Sequence, residues 1–201
     1  KVFYMAEFIM VLLGGANGVG KSTAKEDVVK AFGNSLIWLN ADDRTEELKD
    51  VFPEKSRQER RRLALIETDE KVAKYIQEGK SFGVETILSS GKYRDDVIEA
   101  KKKGFTFILY YISVFPPDLA ADRVEKRRKS GKQGIPREDV FKYYRKSHSE
   151  LEWFASQADI FVAYDNSATA PSPLINVTEK IAGKEIVHRV KGLNPELDRV
   201  I

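Results

Sequence analysis

One short stretch of the sequence, FIMVLLGGANGVGKSTAKEDVVKAFG, constrains the fold more than any other. Its first part, Phe8–Leu13, is an apolar run of strand length, which is typical of strands that are covered on both faces. Glycines follow at once, and a helical pattern then extends from Lys21 to Phe32, with Gly33 as its end. A buried strand, a glycine-rich loop and a helix in succession predict the first unit of a parallel α/β sheet.

The glycine-rich loop matches the pattern GxxxxGK[ST] at each fixed position. Its residues are Gly15, Ala16, Asn17, Gly18, Val19, Gly20, Lys21 and Ser22. Glycines let the backbone approach an anion closely and aim N–H groups at it, and the following helix adds a positive partial charge. The loop therefore predicts a site for nucleotide phosphates, with Lys21 at the terminal phosphates, Ser22 as a magnesium ligand and Thr23 near the first phosphate.

Strand-like and helix-like patterns alternate along the rest of the chain. Further strands are predicted at 35–40, 82–88, 105–114 and 159–167, and helices at 58–78, 94–103, 116–131 and 136–157. This alternation predicts an α/β fold with a mostly parallel, five-stranded sheet, whose ligands bind at the carboxyl ends of the strands. The chain, 1–201, is expected to be one domain, with a C-terminal extension at 171–201 that includes a strand or hairpin.

The composition limits the classes of partner. The 201 residues include 34 basic and 31 acidic side chains, a net charge of +3, which gives little support to nucleic acid as a partner. The longest apolar run, Phe8–Leu13, is too short to cross a bilayer, and so no membrane partner is expected. The absence of cysteine excludes disulfides and thiolate metal sites, and it fits a cytoplasmic protein.

Acidic side chains follow the second and third predicted strands. The second strand ends in NADD, which places Asp42 and Asp43 beside the phosphate loop, where a carboxylate could accept a proton from an acceptor hydroxyl. The third contains VET, in which Glu85 interrupts an apolar strand and Thr86 could assist magnesium or substrate. Simpler interpretations stay open, namely a helix cap or turn for the aspartates and a structural ion pair for Glu85.

Basic side chains are concentrated between the fourth and fifth predicted strands. The segment DRVEKRRKSGKQGIPRED predicts two helices joined by a glycine-containing turn, which suits a small lid at about 117–137. Arginines on a lid can neutralise a phosphoryl group in transfer, and we expect Arg127 and Arg137 to do so, followed by Arg123. Most lysines of this segment, and the run RQERRR at 57–62, are expected to be solvated helix faces.

The order of these segments resembles one known family. Zeta-toxin-like P-loop proteins, especially the bacterial branch often labelled predicted ABC-type ATPase, contain in this order segments similar to GGANGVGKST, NADD, GKSFGVETILSS, RVEKRRKSGKQGIPRED, YYRKSHSEL and YDNSA. The resemblance covers Ile9 to Leu174. It implies a kinase-like P-loop NTPase fold, a three-layer sandwich with helices on both faces of the sheet and a small helical lid. The chain has no LSGGQ-like signature, and so we do not adopt the ABC-type label.

The resemblance also implies an activity. Zeta toxins proper use ATP to phosphorylate a hydroxyl of the amino sugar in UDP-N-acetylglucosamine. By motif, Asp42 matches the acid that handles the acceptor hydroxyl, Lys21 the phosphate-binding lysine and Ser22 the magnesium ligand. Glu85 and Thr86 match the substrate side of the third strand, although this chain reads VETILSS where the toxins proper tend to have Glu-Gly-Thr.

Two further positions are assigned through the shape of such kinases. Arg145, in YYRKS, is favoured as a substrate contact by the resemblance. Asp165 and Asn166 follow the fifth strand, where kinases of this shape often contact adenine, and we assign Asn166 to the nucleotide. A plain turn is an equally good interpretation of these two residues.

The sequence thus predicts an ATP- and magnesium-dependent kinase of a small molecule. A UDP-amino sugar is one candidate acceptor, and an antitoxin-like protein is one candidate partner. Two alternatives stay open: a nucleotide-binding or toxin-like module without kinase turnover, and a nucleic-acid end kinase that uses the arginine-rich lid on a phosphate backbone.

Overall fold

A seven-stranded sheet organises the protein in the computed structural model, which describes residues 7–33, 36–131, 134–168, 175–181, 187–188 and 190–200. In chain order the strands are β1 (Phe8–Gly14), β2 (Ile37–Leu39), β3 (Phe82–Glu85), β4 (Phe105–Ser113), β5 (Ile160–Asp165), β6 (Ile175–Ile181) and β7 (Val187–His188). Their spatial order is β2-β3-β1-β4-β5-β6-β7. Strands β1 to β5 are parallel, and so their carboxyl ends share one edge of the sheet.

The prediction of a five-stranded sheet is wrong, whereas the prediction of a mostly parallel α/β sheet is confirmed. The additional strands β6 and β7 are antiparallel to their neighbours and lie within the 171–201 extension. Strand β6 pairs with β5 and so satisfies backbone groups that an edge strand would leave open. The sequence indicated a strand or hairpin there but not its place in the main sheet.

Helices cover both faces of the sheet. The described residues form α1 (Lys21–Phe32), α2 (Ala41–Val51), α3 (Arg57–Glu78), α4 (Arg94–Lys102), α5 (Asp118–Lys129), α6 (Arg137–Gln157) and α7 (Pro195–Val200). Alternate side chains of β1 enter different cores, because successive residues of a strand point to opposite faces. Met10 and Leu12 pack with α3 and α4, and Val11 and Leu13 pack with α1 and α5.

Helix α2 is an element that the sequence analysis did not predict. The side-chain oxygen of Asn40 accepts hydrogen bonds from the backbone N–H of Asp42 at 2.8 Å and of Asp43 at 3.3 Å. NADD is therefore the start of a helix, with Asn40 as its cap. Carboxylates in a first turn interact favourably with the helix dipole. The Asn40 cap also fixes the backbone of both aspartates at the sheet edge.

Helix α3 begins at a capping box. The Ser56 hydroxyl accepts from the Glu59 N–H at 3.3 Å, and the Glu59 carboxylate accepts from the Ser56 N–H at 2.8 Å. Gly79 ends the helix in the left-handed conformation. The box fixes the first turn of α3, and Arg57 in this turn and Arg61 one turn later lie at the edge that holds the phosphate loop.

Helix α5 and the first turns of α6 pack together above the loop, where the lid is predicted. The connection includes Gly131 in a left-handed conformation, and residues 132–133 lie outside the described part of the chain. The lid boundaries at about 117–137 stay a prediction. In the part of the chain that the structure describes, no helix combines the length and apolar character needed to cross a membrane.

Candidate active site

The phosphate loop joins β1 to α1 in a conformation that requires glycine. Gly18 has a φ of 84°, and a Cβ there would collide with the backbone carbonyl of Ala120 on α5. Gly20 has a φ of 96°, and a Cβ there would collide with the side chain of Asn166. Both backbone conformation and space exclude other residues, so the loop is held in one shape between α5 and the end of β5.

The side chain of Lys21 bonds back to the backbone of its own loop. Its ammonium group donates hydrogen bonds to the carbonyls of Gly15 at 2.8 Å and Ala16 at 3.1 Å. Burial lowers the pKa of Lys21, the charges of Glu85 and Asp42 oppose this shift, and Arg127 adds to it. A nearby anion would favour the charged ammonium, and phosphate groups of a nucleotide are anions of this kind.

The first turn of α1 presents donors and a hydroxyl. Gly20 precedes the helix and provides no side-chain cap, and Ser22 and Thr23 are exposed. Uncapped N–H groups at the start of a twelve-residue helix suit an anion. Among the described residues no cluster of three or more His, Cys, Asp or Glu could hold a metal. The Ser22 hydroxyl is a group that could bind Mg²⁺ together with phosphate oxygens and water, the ligands that this ion prefers.

A cavity of about 220 Å³ joins the loop to the ends of β2 and β3. Its polar lining includes Asn17, Lys21, Asn40, Asp42, Arg61, Glu85, Thr86, Ser89 and Ser90. The Asp42 side chain is 71% exposed, and its carboxylate lies 3.8 Å from Nε of Arg61. The cavity therefore brings the predicted acids Asp42 and Glu85 together with the loop lysine.

Glu85 and Thr86 of the VET segment are held by hydrogen bonds to their surroundings. The Glu85 carboxylate accepts a hydrogen bond at 2.8 Å from the side-chain amide of Asn40, which also caps α2. The Thr86 N–H donates to the carbonyl of Leu13 at 3.0 Å, and the Thr86 hydroxyl accepts from the Leu88 N–H at 3.1 Å. These bonds hold the VET segment rigidly beside the loop, with both side chains at the cavity.

Burial raises the pKa of Glu85 against the opposing charges of Lys21 and Lys25. The folded protein thus binds this proton more tightly than the unfolded chain, and stability falls as pH rises from the unfolded value, near 4.3, through the folded value. We expect Glu85→Gln to raise the denaturation temperature at pH 7, and we expect the difference to vanish near pH 4. Exposed Glu70→Gln is the control, and a lower denaturation temperature for Glu85→Gln at pH 7 would contradict this account.

A second cavity, of about 360 Å³, lies between the loop, α3 and the lid. Its lining includes Asn17, Gly18, Asp42, Arg57, Arg61, Val124, Arg127, Gly134 and Ile135. Arg127, which was predicted to act in catalysis, is thereby placed next to the phosphate loop. Arg57 and Arg61 belong to the RQERRR run and line this cavity, and Arg60 of the same run is buried, so the expectation that the whole run is a solvated face is wrong.

A family comparison agrees with this geometry. The family model described as an AAA domain (AAA_33) matches residues 10–151, which include the loop, both acidic segments and most of α6. The chain belongs to this AAA domain family. No protein with curated annotation matches the sequence.

Solved structures with the same fold include a chain of a toxin–antitoxin system. The chain is 20% identical to a chain of the PezAT toxin–antitoxin system of Streptococcus pneumoniae, with a TM-score of 0.60 over 79% of this chain and 69% of that one. It is 15% identical to a chain of AvrRxo1-ORF1:-ORF2 with ATP, with a TM-score of 0.71 over 97% and 63%. A provisionally assigned kinase of Chloroflexus aurantiacus is 20% identical, with a TM-score of 0.51 over 63% and 70%. These similarities confirm the predicted kinase-like P-loop fold.

Asn166 links the AAA domain's loop to two other elements. Its side-chain amide donates to the carbonyl of Val19 at 2.8 Å, and its N–H donates to the carbonyl of Ser113 at 2.8 Å. The Asn166 carbonyl accepts from the Arg123 guanidinium at 2.8 Å. Asn166 was assigned to the nucleotide and Arg123 to the phosphoryl group in transfer. In the structure both form hydrogen bonds within the protein, next to the loop.

We expect Asn166→Ala to weaken ATP binding about fivefold, because one lost hydrogen bond is worth about 1 kcal/mol and the loop would lose its anchor at Val19. Calorimetric titration with ATP and Mg²⁺ measures the effect. Ser130→Ala, which removes a hydroxyl that donates to the carbonyl of Arg127 at 2.9 Å, is a control on the lid. Unchanged ATP affinity in Asn166→Ala would show that the hydrogen bond from Asn166 to Val19 does not shape the loop.

Two predicted arginines lie away from both cavities. The Arg137 guanidinium donates to Asp118 at 2.7 Å and also to Asp122, which ties the start of α6 to α5. Arg145 is exposed on α6 and lines neither cavity. Their roles in catalysis and substrate binding stay predictions that this conformation does not support with a contact.

The residues that the sequence analysis missed are Asn40, Arg57 and Arg61. Asn40 carries a signal, since Asn before two aspartates is a common helix start, but NADD was interpreted as the end of a strand. Arg57 and Arg61 are spaced i,i+4 and share one face of α3. That spacing does not show which part of the fold this helix face contacts, and so only the tertiary structure reveals that both arginines lie at the site.

Proposed function

We propose that this AAA domain protein is an ATP- and magnesium-dependent phosphotransferase that moves the γ-phosphate to a hydroxyl of a small molecule. One observation supports this best: Lys21 of the loop, Asp42 and Glu85 line the same cavity. Two carboxylates and a set of hydroxyls beside the loop suit an acceptor that must be held and deprotonated.

Each residue then has a defined part in transfer. The loop N–H groups and Lys21 hold the β- and γ-phosphates, and Arg127 neutralises charge that develops on the moving group. Asp42 accepts the proton of the acceptor hydroxyl while the hydroxyl oxygen forms a bond to the γ-phosphorus. The bond from that phosphorus to the bridging oxygen breaks, and ADP leaves. Ser22 would help to hold Mg²⁺, which would neutralise part of the phosphate charge.

The structural neighbours support the donor and suggest a partner. ATP is present in the AvrRxo1-ORF1:-ORF2 structure, which supports ATP as the donor here. The PezAT system pairs a toxin with an antitoxin, which supports an antitoxin-like protein as partner of this chain. We propose a UDP-amino sugar as the first acceptor to test.

A coupled assay of ADP formation tests this function. Protein with ATP and Mg²⁺ is assayed alone, with UDP-N-acetylglucosamine and with fractions of a metabolite extract. We expect slow ADP formation without an acceptor and a strong increase with UDP-N-acetylglucosamine or with one of the fractions. ADP formation that no fraction stimulates would contradict a kinase and favour a nucleotide-binding module.

A further inference from the structure

Two arginines of α3 have no part in the transfer described above. Arg57 and Arg61 lie one helical turn apart and both line the cavity of about 360 Å³. Arg127 of α5 lines the same cavity from the lid. Three guanidinium groups from two helices thus meet in one space beside the phosphate loop.

The charges of this cavity are unbalanced. Among its described lining residues Asp42 is the only carboxylate, and Glu46, which pairs with Arg57 from outside the lining, leaves three arginines against two carboxylates. Its contact with Arg61 is long, at 3.8 Å, and the Asp42 side chain is mostly exposed, so this pair is weak. The cavity therefore carries an excess of positive charge that an anion would neutralise.

Arg57 also has a donor without a partner. Its Nε donates to the carboxylate of Glu46 at 3.1 Å, whereas its Nη2 is buried and forms no hydrogen bond with the described residues. A buried guanidinium N–H that lacks an acceptor is unfavourable. Phosphate and carboxylate oxygens are the acceptors that a planar guanidinium binds best, often through two parallel bonds.

The two cavities meet at shared residues. Asn17, Asp42 and Arg61 line both the 220 Å³ cavity and the 360 Å³ cavity. A molecule whose hydroxyl faces Asp42 can therefore extend toward Arg57. Since the loop, Lys21 and Arg127 serve the phosphates of ATP, the arginines of α3 are left for the acceptor.

We propose that Arg57 and Arg61 form a second anion-binding site, separate from the phosphate loop, that holds an anionic group of the acceptor. The acceptor is then a small molecule that carries a phosphate or carboxylate in addition to the hydroxyl that is phosphorylated. This proposal rests on the kinase function proposed above and names the residues that select its substrate.

Binding of inorganic phosphate to a protein already saturated with AMP-PNP and Mg²⁺ tests the proposal, because the nucleotide blocks the loop. Broadening of the phosphate ³¹P signal measures this binding, and acetate is titrated separately by ¹H NMR. We expect at least one of the two anions to bind the wild-type complex. We expect its affinity to fall at least fivefold in Arg57→Gln and in Arg61→Gln, with AMP-PNP affinity unchanged within twofold.

Arg62→Gln is the matched control, since Arg62 is exposed on the same helix and lines neither cavity. It should bind both AMP-PNP and the anion as the wild type does. If AMP-PNP binds but neither anion does, or if Arg57→Gln and Arg61→Gln bind the anion normally, the second site is refuted while the kinase function stands. Failure of the wild type to bind AMP-PNP would refute both. The preferred anion distinguishes a phosphorylated acceptor from a carboxylate.

Discussion

Lys21→Ala should lose at least about 100-fold in ATP affinity while the protein stays folded. The ammonium group of Lys21 now bonds two loop carbonyls, at 2.8 and 3.1 Å, and in the complex it would bond phosphate oxygens. A hydrogen bond between charged partners contributes about 1.5–3 kcal/mol, so the loss of two such bonds gives a change of this size. Calorimetric titration with ATP and Mg²⁺ measures the affinity, and thermal denaturation checks the fold.

Lys25→Ala is the matched control for this change. Lys25 lies one turn further along α1, pairs with Asp43 at 2.9 Å and stands over the ring of Trp38. Its loss removes the same charge from the same helix without touching the loop, and we expect ATP affinity within twofold of the wild type. Equal affinities for Lys21→Ala and the wild type would overturn the assignment of the loop to nucleotide phosphates.

Asp42→Asn should bind ATP normally and lose turnover by about 10²–10⁴-fold, the usual contribution of a general base. An amide keeps the size of the side chain but cannot accept the acceptor's proton at neutral pH. The backbone N–H of Asp42 still bonds Asn40, and so α2 should form as before. Single-turnover kinetics with an acceptor-containing fraction measure the rate, and calorimetry measures ATP binding.

Asp43→Asn separates this effect from a loss of helix stability. Asp43 lies in the same first turn of α2, and its side chain is 60% exposed and paired with Lys25. Both substitutions remove one favourable interaction with the helix dipole, worth about 0.3–1 kcal/mol. We expect Asp43→Asn to turn over within about twofold of the wild type. Comparable losses in the two variants would remove Asp42 from its proposed role as base.

The parts of the site that could be predicted are those encoded by consecutive residues. GGANGVGKST specifies a turn, a left-handed glycine and a helix start within a few positions, and strand β1 before it is a plain apolar run. Asp42 could be placed beside the loop because parallel strands end at a common edge, and Asp42, Glu85 and Lys21 line one cavity in the structure. The polarity of these short segments was enough to place them.

The parts that could not be predicted depend on which surfaces meet. The sequence shows that RQERRR forms a charged helix face, but not that the first turn of α3 faces the loop. Arg137 looked like a lid arginine, yet Asp118 and Asp122, one turn apart on α5, bind it. Strand β6 follows a link in the 171–201 extension whose length and prolines do not reveal the strand it pairs with.

Mass spectrometry of a metabolite extract tests directly whether the protein transfers the γ-phosphate of ATP to a small molecule. The extract is incubated with ATP, Mg²⁺ and either the wild type or Asp42→Asn, and each compound is examined for the gain of one phosphate. We expect at least one phosphorylated product with the wild type and none above background with Asp42→Asn. Conversion of ATP to ADP and inorganic phosphate, with no phosphorylated compound from any extract, would contradict the proposed transfer.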